Sequence, residues 1–154
     1  MVRLGHADHS WVNPDRHDLL LFDYVQRIAD ALDACAPEGE RLRVVHIGGA
    51  GMTLPRYVAA TRPPSAQIVL EPDVALIEEV RATIPLPKHS GIKVRPIDGR
   101  AGIAAMPDDY ADVVIVDAFA GTQVPAELTT VGFFGDLRRV LRASGMAIVN
   151  LTDH

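Results

Sequence analysis

The stretch "VVHIGGAGMTLPRYV", residues 44–58, decides how the chain is read. A β-branched run leads into three glycines, and a helix-like segment with Pro55 near its start follows, so a strand is expected to turn sharply into a helix. Glycines lower the steric cost of such a turn and let a ligand approach the backbone, while the helix presents its free N–H groups. Three readings compete: the phosphate-binding turn of a nucleotide site, the loop of another adenosine-type cofactor, or a tight turn and nothing more. A dinucleotide fingerprint requires G-x-G-x-x-G. Counted from Gly49 its third glycine falls on Leu54, and counted from Gly48 the pattern fails at Ala50. A P-loop fails as well, because no Gly-Lys-Ser/Thr follows. What survives is the G-x-G of Gly49 and Gly51, which suits a cofactor without a pyrophosphate to cradle.

Outward from this turn the chain alternates two kinds of segment. Apolar, β-branched runs stand at "RVVHI" (43–47), "QIVLE" (67–71), "IKVRPI" (92–97), "DVVIVDAF" (112–119) and "MAIVNL" (146–151). Helical patterns lie between them at about 54–62, 73–83, 100–106 and 130–142. Strands without polar alternation belong to a sheet covered on both faces, and strand-helix-strand succession makes them parallel through right-handed crossovers. The expected class is α/β, a doubly wound Rossmann-like, mostly parallel sheet of about five strands. Residues 1–17 read as a polar, irregular N-terminal arm with a turn at Asn13-Pro14, and residues 18–154 as a single nucleoside-cofactor-binding domain. That domain opens with an amphipathic helix in which Leu21, Val25, Ile28 and Leu32 recur at helical spacing, Phe22 and Ala29 widen the stripe, and Pro37 with Gly39 stops it.

The last strand runs almost to the end of the sequence with nothing after it to cover its edge, and an open edge invites association. Either C-terminal strands of the full fold are missing, or the uncovered last strand or the first helix is where two copies could form a homodimer.

Composition narrows the function classes. The 154 residues are 48% hydrophobic, enough for one core, and carry a formal charge of −5. With a pI near 5.6 there is no basic excess for a nucleic-acid footprint, so no nucleic acid is expected as a partner. The opening residues have no apolar segment and no run is long enough to span a bilayer, so no membrane association and a cytoplasmic location are expected. Cys35, the one cysteine, reads as a small core residue. His6, His9 and His17 have no convergent ligand spacing and no metal site is expected.

Ligands of an open parallel sheet sit outside the carboxyl ends of its strands. The first strand ends in Gly48-Gly49-Ala50-Gly51, the second in Glu71-Pro72, the third in Asp98-Gly99 and the fourth in Asp117. Glu71 lies twenty residues after Gly51, where a carboxylate can accept from both hydroxyls of a ribose; the alternative is a solvated loop glutamate. Asp98 stands where an adenine amino group would lie, and "DGRAGIAAM" also allows it to be a helix N-cap. Asp117 closes "ADVVIVD", delivering one carboxylate beside the place for a cofactor's reactive end; its alternative is capping of the next loop. His46 reads as a packed core histidine. Tyr24 or Asp23 could overhang the site from an otherwise ordinary helix face.

Together these residues resemble the class I S-adenosylmethionine-dependent transferases, and within them the spermidine synthase-like proteins. The match runs from about Asp18 to Leu151. "VVHIGGAGMTLPRYV" corresponds to that family's first-strand glycine motif, "IVLEPDVALIEEVR" to its ribose-binding acid, "VRPIDGRAGI" to its adenine-side aspartate and "YADVVIVDAFAG" to the strand carrying its catalytic aspartate. The resemblance implies the strand order 3-2-1-4-5, counted along the chain. It implies that Gly48, Gly49, Gly51, Glu71, Pro72, Asp98, Gly99 and Asp117 surround S-adenosylmethionine or its decarboxylated form, and that Asp117 is catalytic and faces the acceptor. The implied reaction is transfer of an aminopropyl group to a small-molecule amine, with methyl transfer to another acceptor, or a non-catalytic binding module, as alternatives. Two positions depart from the family pattern: Gly51 replaces an aspartate at the cofactor's amino end, and Ala120 replaces a second acid three residues after Asp117. Both changes remove negative charge expected around a cationic polyamine.

Overall fold

The computed structural model describes residues 2–4, 7–120 and 123–151; His6, one of the three arm histidines, lies outside the described residues. Two short strands, β1 (Val2–Leu4) and β2 (Ala7–Ser10), pair antiparallel and precede α1 (Asp23–Cys35). The rest alternates as the sequence leads one to expect: β3 (Arg43–Ile47), α2 (Thr53–Thr61), β4 (Ala66–Leu70), α3 (Val74–Thr83), β5 (Ile92–Arg95), α4 (Gly99–Ala104), β6 (Ala111–Val116), a 3-10 turn at Ala126–Leu128, α5 (Val131–Val140) and β7 (Leu141–Val149). The five strands β3 to β7 form one sheet in the order β5-β4-β3-β6-β7, and every pairing in it is parallel. This is the expected 3-2-1-4-5 arrangement.

Alternate side chains divide the core into two layers. Val45, Ile47, Ile68, Leu70, Val114 and Val116 point to the side covered by α4 and α5, where Ile103, Phe133 and Leu137 meet them. Val44, Val113 and Ile115 point the other way, to Val25, Ile28 and Leu32 of α1 and Leu54 and Val58 of α2. Val69 continues that face toward Leu76 and Val80 of α3. Strands buried on both sides need no polar alternation, which is why these runs read as continuously apolar.

Three expectations need correction. The arm is not irregular throughout: it contains the β1-β2 hairpin, whose three- and four-residue strands are too short and polar to show a period. It is docked, because Val12 is buried, the Ser10 hydroxyl lies 2.6 Å from Thr53 Oγ1, and Thr53 in turn donates to the Trp11 carbonyl at 3.0 Å. Leu21 precedes α1 and is exposed, so the buried stripe is Val25, Ile28, Ala29 and Leu32. Cys35 is exposed, at the last turn of α1, where the helix leaves the sheet.

Burial, not helix propensity, is expected to set the sensitivity of α5. Phe133→Ala, at a position fully shielded from solvent, is expected to lower unfolding stability by about 3–5 kcal/mol in urea titration. Val131→Ser, at an exposed position of the same helix, is expected to change it by less than about 0.5 kcal/mol.

Candidate active site

Parallel pairing brings the carboxyl ends of the strands to one edge, and the register fixes which residues become neighbours. Ile47 pairs with Leu70 on one side and Val116 on the other, so Gly48, Glu71 and Asp117 emerge next to each other. Backbone bonds carry the pairing one residue further: the Gly48 amide donates to the Leu70 carbonyl at 3.0 Å and the Asp117 amide to the Ile47 carbonyl at 2.9 Å. The Asn150 amide does likewise to the Val116 carbonyl, at 2.9 Å. A cleft of about 640 Å³ opens over these ends. Gly48, Gly49, Glu71, Pro72, Asp98, Gly99 and Asp117 all line it. Gly51 is buried and is not part of that lining.

The glycine turn uses its residues differently from the sequence reading. Left-handed backbone falls at Gly48 (φ +92°), Ala50 (φ +35°) and Met52 (φ +61°), while Gly49 and Gly51 lie outside that region. Gly48 has a second constraint, since a Cβ there would collide with the main-chain carbonyl of Asp117. Gly49 is required for space: its Cβ would lie 2.9 Å from Val69 Cγ1 and 3.3 Å from Glu71 Cβ. Met52 tolerates a conformation that disfavours side chains because it is buried among Val69, Leu76 and Val80, whose packing offsets the strain.

Glu71 is not a solvated loop residue. It is 9% exposed, and its two oxygens accept from the backbone amides of Gly49 at 2.9 Å and Asp73 at 3.0 Å. Each oxygen of an ionised carboxylate has a further lone pair, so the clamped group can still accept from a ligand. Asp98 is the N-cap of α4, accepting from the Ala101 amide at 2.8 Å, and it also lines the cleft.

Asp117 is the partly buried carboxylate of the site. Burial pushes its carboxyl above the usual carboxylate range, and the Asn150 amide, donating from Nδ2 to Oδ1 at 2.9 Å, pulls it back in part. Tyr24 of α1 lines the same cleft, and burial together with the nearby Asp117 charge pushes its phenol up to about 12. His46 is a core histidine: its Nε2 lies 2.8 Å from Gln67 Oε1, and burial lowers it to about 4, so it is neutral near pH 7.

Several cleft residues escaped the sequence reading. Asn150 ends the fifth strand of the sheet, one position beyond the four strand ends considered, and that place was its only signal. Phe119, Pro125, Glu127 and Leu128 come from the segment after Asp117, which has no periodicity to place it. Glu127 and Asp73 change the charge balance anticipated from Gly51 and Ala120. Among the described residues five carboxylates line the cleft, Glu71, Asp73, Asp98, Asp117 and Glu127, and no lysine, arginine or histidine does so.

No model of a known protein family matches the chain. A probable spermidine synthase from Corynebacterium glutamicum superposes with a TM-score of 0.81 at 32% identity, over 90% of this chain and 51% of that one. In sequence and in fold the chain is similar to that spermidine synthase. A polyamine aminopropyltransferase from Chromobacterium violaceum is 27% identical over 108 residues, 70% of this chain and 41% of the relative. Human methyltransferase-like protein 13, in complex with SAH, shares the fold with a TM-score of 0.71 at 20% identity, covering 82% of this chain and 64% of that chain. The chain therefore spans about half the length, or less, of the spermidine synthase-like proteins it matches. The spermidine synthase-like likeness and the α/β methyltransferase fold agree with what the motifs imply.

Two stability measurements probe this geometry. Gly48→Ala is expected to cost at least about 1–3 kcal/mol, because it combines an unfavourable φ with a backbone collision. Asp117→Asn is expected to raise stability at pH 7. A carboxyl whose folded-state pKa lies above its unfolded value favours the fold below the unfolded pKa, and that contribution is lost as pH rises through the folded value. The Asn variant has no such loss, so its advantage in thermal melts should be present at neutral pH and vanish toward about pH 3.

Proposed function

We propose that this chain is the cofactor-binding, Rossmann-like part of a spermidine synthase-like transferase that uses decarboxylated S-adenosylmethionine, or S-adenosylmethionine itself, and transfers an aminopropyl group to an amine. The observation that carries this reading is the charge of the cleft: among the described residues five carboxylates line it and no cationic side chain does. Such a surface attracts a sulfonium and an ammonium, and it repels the pyrophosphate of a dinucleotide.

The residues fit a sulfonium nucleoside. Glu71, immobilised by two backbone amides, would accept from the ribose hydroxyls. Pro72, Asp98 and Gly99 would border the base, and Gly48 and Gly49 leave the backbone bare beside it. When bound, the cofactor supplies an electrophilic carbon on a positively charged sulfur, which departs as a neutral thioether. The protein's work is then alignment and proton removal. Asp117 would hold the acceptor's nitrogen and take its proton, which frees the nitrogen's electron pair. A carboxyl displaced upward by burial is better matched to that task near neutral pH than an exposed one. Likeness to a probable spermidine synthase and to polyamine aminopropyltransferases supports an amine as the acceptor.

Calorimetric titration with both cofactors is the direct test. Tighter binding of the decarboxylated form is the expected result; preference for the carboxylated form would move the reading to methyl transfer, and no binding of either would overturn it. Glu71→Gln replaces one acceptor oxygen with a donor facing a backbone N–H and is expected to weaken binding about 10- to 100-fold, from a loss of about 1.5–3 kcal/mol.

A further inference from the structure

Asn150 sits at the tip of β7, the strand beside β6, and its position is determined by the ladder: its own amide donates to the Val116 carbonyl. From there its side chain reaches the carboxylate at the tip of β6, with Nδ2 to Asp117 Oδ1 at 2.9 Å, and lines the same cleft. A planar amide donor fixes one oxygen of a carboxylate and so restricts rotation of the group. It also stabilises the charged form inside a site that otherwise disfavours it. Among the described residues that line the cleft, every other charged or titratable group is acidic or neutral. Tyr24 faces it from α1, Glu71 and Asp73 from the end of β4, Asp98 from before α4 and Glu127 from the 3-10 turn, while His46 lies beneath on β3. With no cation among the described lining residues, the amide of Asn150 is the group placed to make Asp117 a usable base.

We propose that Asn150 is the positioning residue for Asp117, anchoring Oδ1 so that Oδ2 is the oxygen turned to the acceptor and keeping the carboxylate ionised in an acidic, half-buried site. In the step this serves, one N–H bond of the acceptor breaks, the proton goes to Asp117 Oδ2, and the bonding pair remains on nitrogen as its lone pair. The assignment rests on the transferase reading for its purpose and on the Asn150–Asp117 contact for its physics, and the two can be tested apart.

The test is a titration of the Asp117 side-chain carboxyl by carbon-13 NMR in the protein without cofactor, with its resonance assigned by its absence in Asp117→Asn. Asn150→Leu removes the donor and is expected to shift the Asp117 midpoint to higher pH. Asn150→Asp keeps the shape, so it guards against a folding defect. It substitutes a carboxyl for the amide and should also raise the upper midpoint of the resulting pair. Asn150→Gln restores a donor and should bring the midpoint back toward the wild-type value. Unchanged midpoints in both the Leu and Asp variants, with native amide spectra, would overturn the assignment. Because no cofactor or turnover enters this measurement, a failed cofactor titration would remove the transferase reading and leave the Asn150 result standing on its own.

Discussion

Where Gly48 meets the main-chain carbonyl of Asp117 there is no room for a Cβ, and the rest of the site depends on that closeness. Parallel strands splay as a sheet twists, so their ends do not converge unless something holds them. Here two backbone bonds do, Gly48 to Leu70 and Asp117 to Ile47, each extending a ladder one residue past its strand. The turn can then leave the sheet only through left-handed backbone at Gly48. The same step puts the bare Gly48–Gly49 backbone between two carboxylates, Glu71 on one flank and Asp117 on the other. A larger residue at Gly48 would push the first and fourth strands apart, and cleft and core would open together.

Glu71 connects this turn to the neighbouring strand. A buried carboxylate requires donors, and it takes both from the backbone, one on the glycine turn and one at the start of the loop into α3. Those bonds orient its remaining lone pairs before any ligand arrives, so little ordering is left for binding to accomplish. Under the proposed function the ribose contacts would fall on the same two oxygens as these structural bonds, so a single substitution there would bear on both.

The parts of the fold that were legible in the sequence are those governed by burial. Val44, Val113 and their neighbours are apolar because the sheet is covered on both faces, and the strands and helices fall within one to a few residues of their expected places except at β7, which starts at Leu141. A bulge in its pairing with β6 accounts for that: the register slips between Ala111 and Val113, so "RASG" before the apolar run belongs to the strand although it does not look like one. The acids at strand ends were legible because topology, not local chemistry, decides where they go. What stayed hidden depends on distance across the chain. Asn150 and Asp117 are separated by 33 positions, and nothing local in either marks the contact. The conformation of the glycine turn was equally hidden: left-handed φ falls at Ala50 and Met52, and Met52 accepts it through packing that a one-dimensional pattern does not show.

Electrostatics in the cleft follow from an imbalance. Elsewhere in the protein several carboxylates pair with arginines, as Asp33 does with Arg62 at 2.7 Å and Asp112 with Arg142 at 2.8 Å. The five acids of the cleft have no such partners among its described lining residues. Asp73 and Asp98 are occupied in part as helix caps and Glu71 by its backbone clamp, so three of the five are stabilised by N–H dipoles, which leave their net charge in place. Dipoles can hold an anion without neutralising its field. Asp117 has one side-chain amide set against its burial, and it is the acid whose affinity for a proton is raised. Under the proposed function, a site built in this way would keep its negative field for a cationic ligand and reserve one carboxylate for proton exchange. Replacing the Asn150 donor with a lysine or arginine would pair Asp117 more strongly, but it would also cancel part of the field that draws a cation in. A neutral amide orients the base and leaves the charge of the cleft intact.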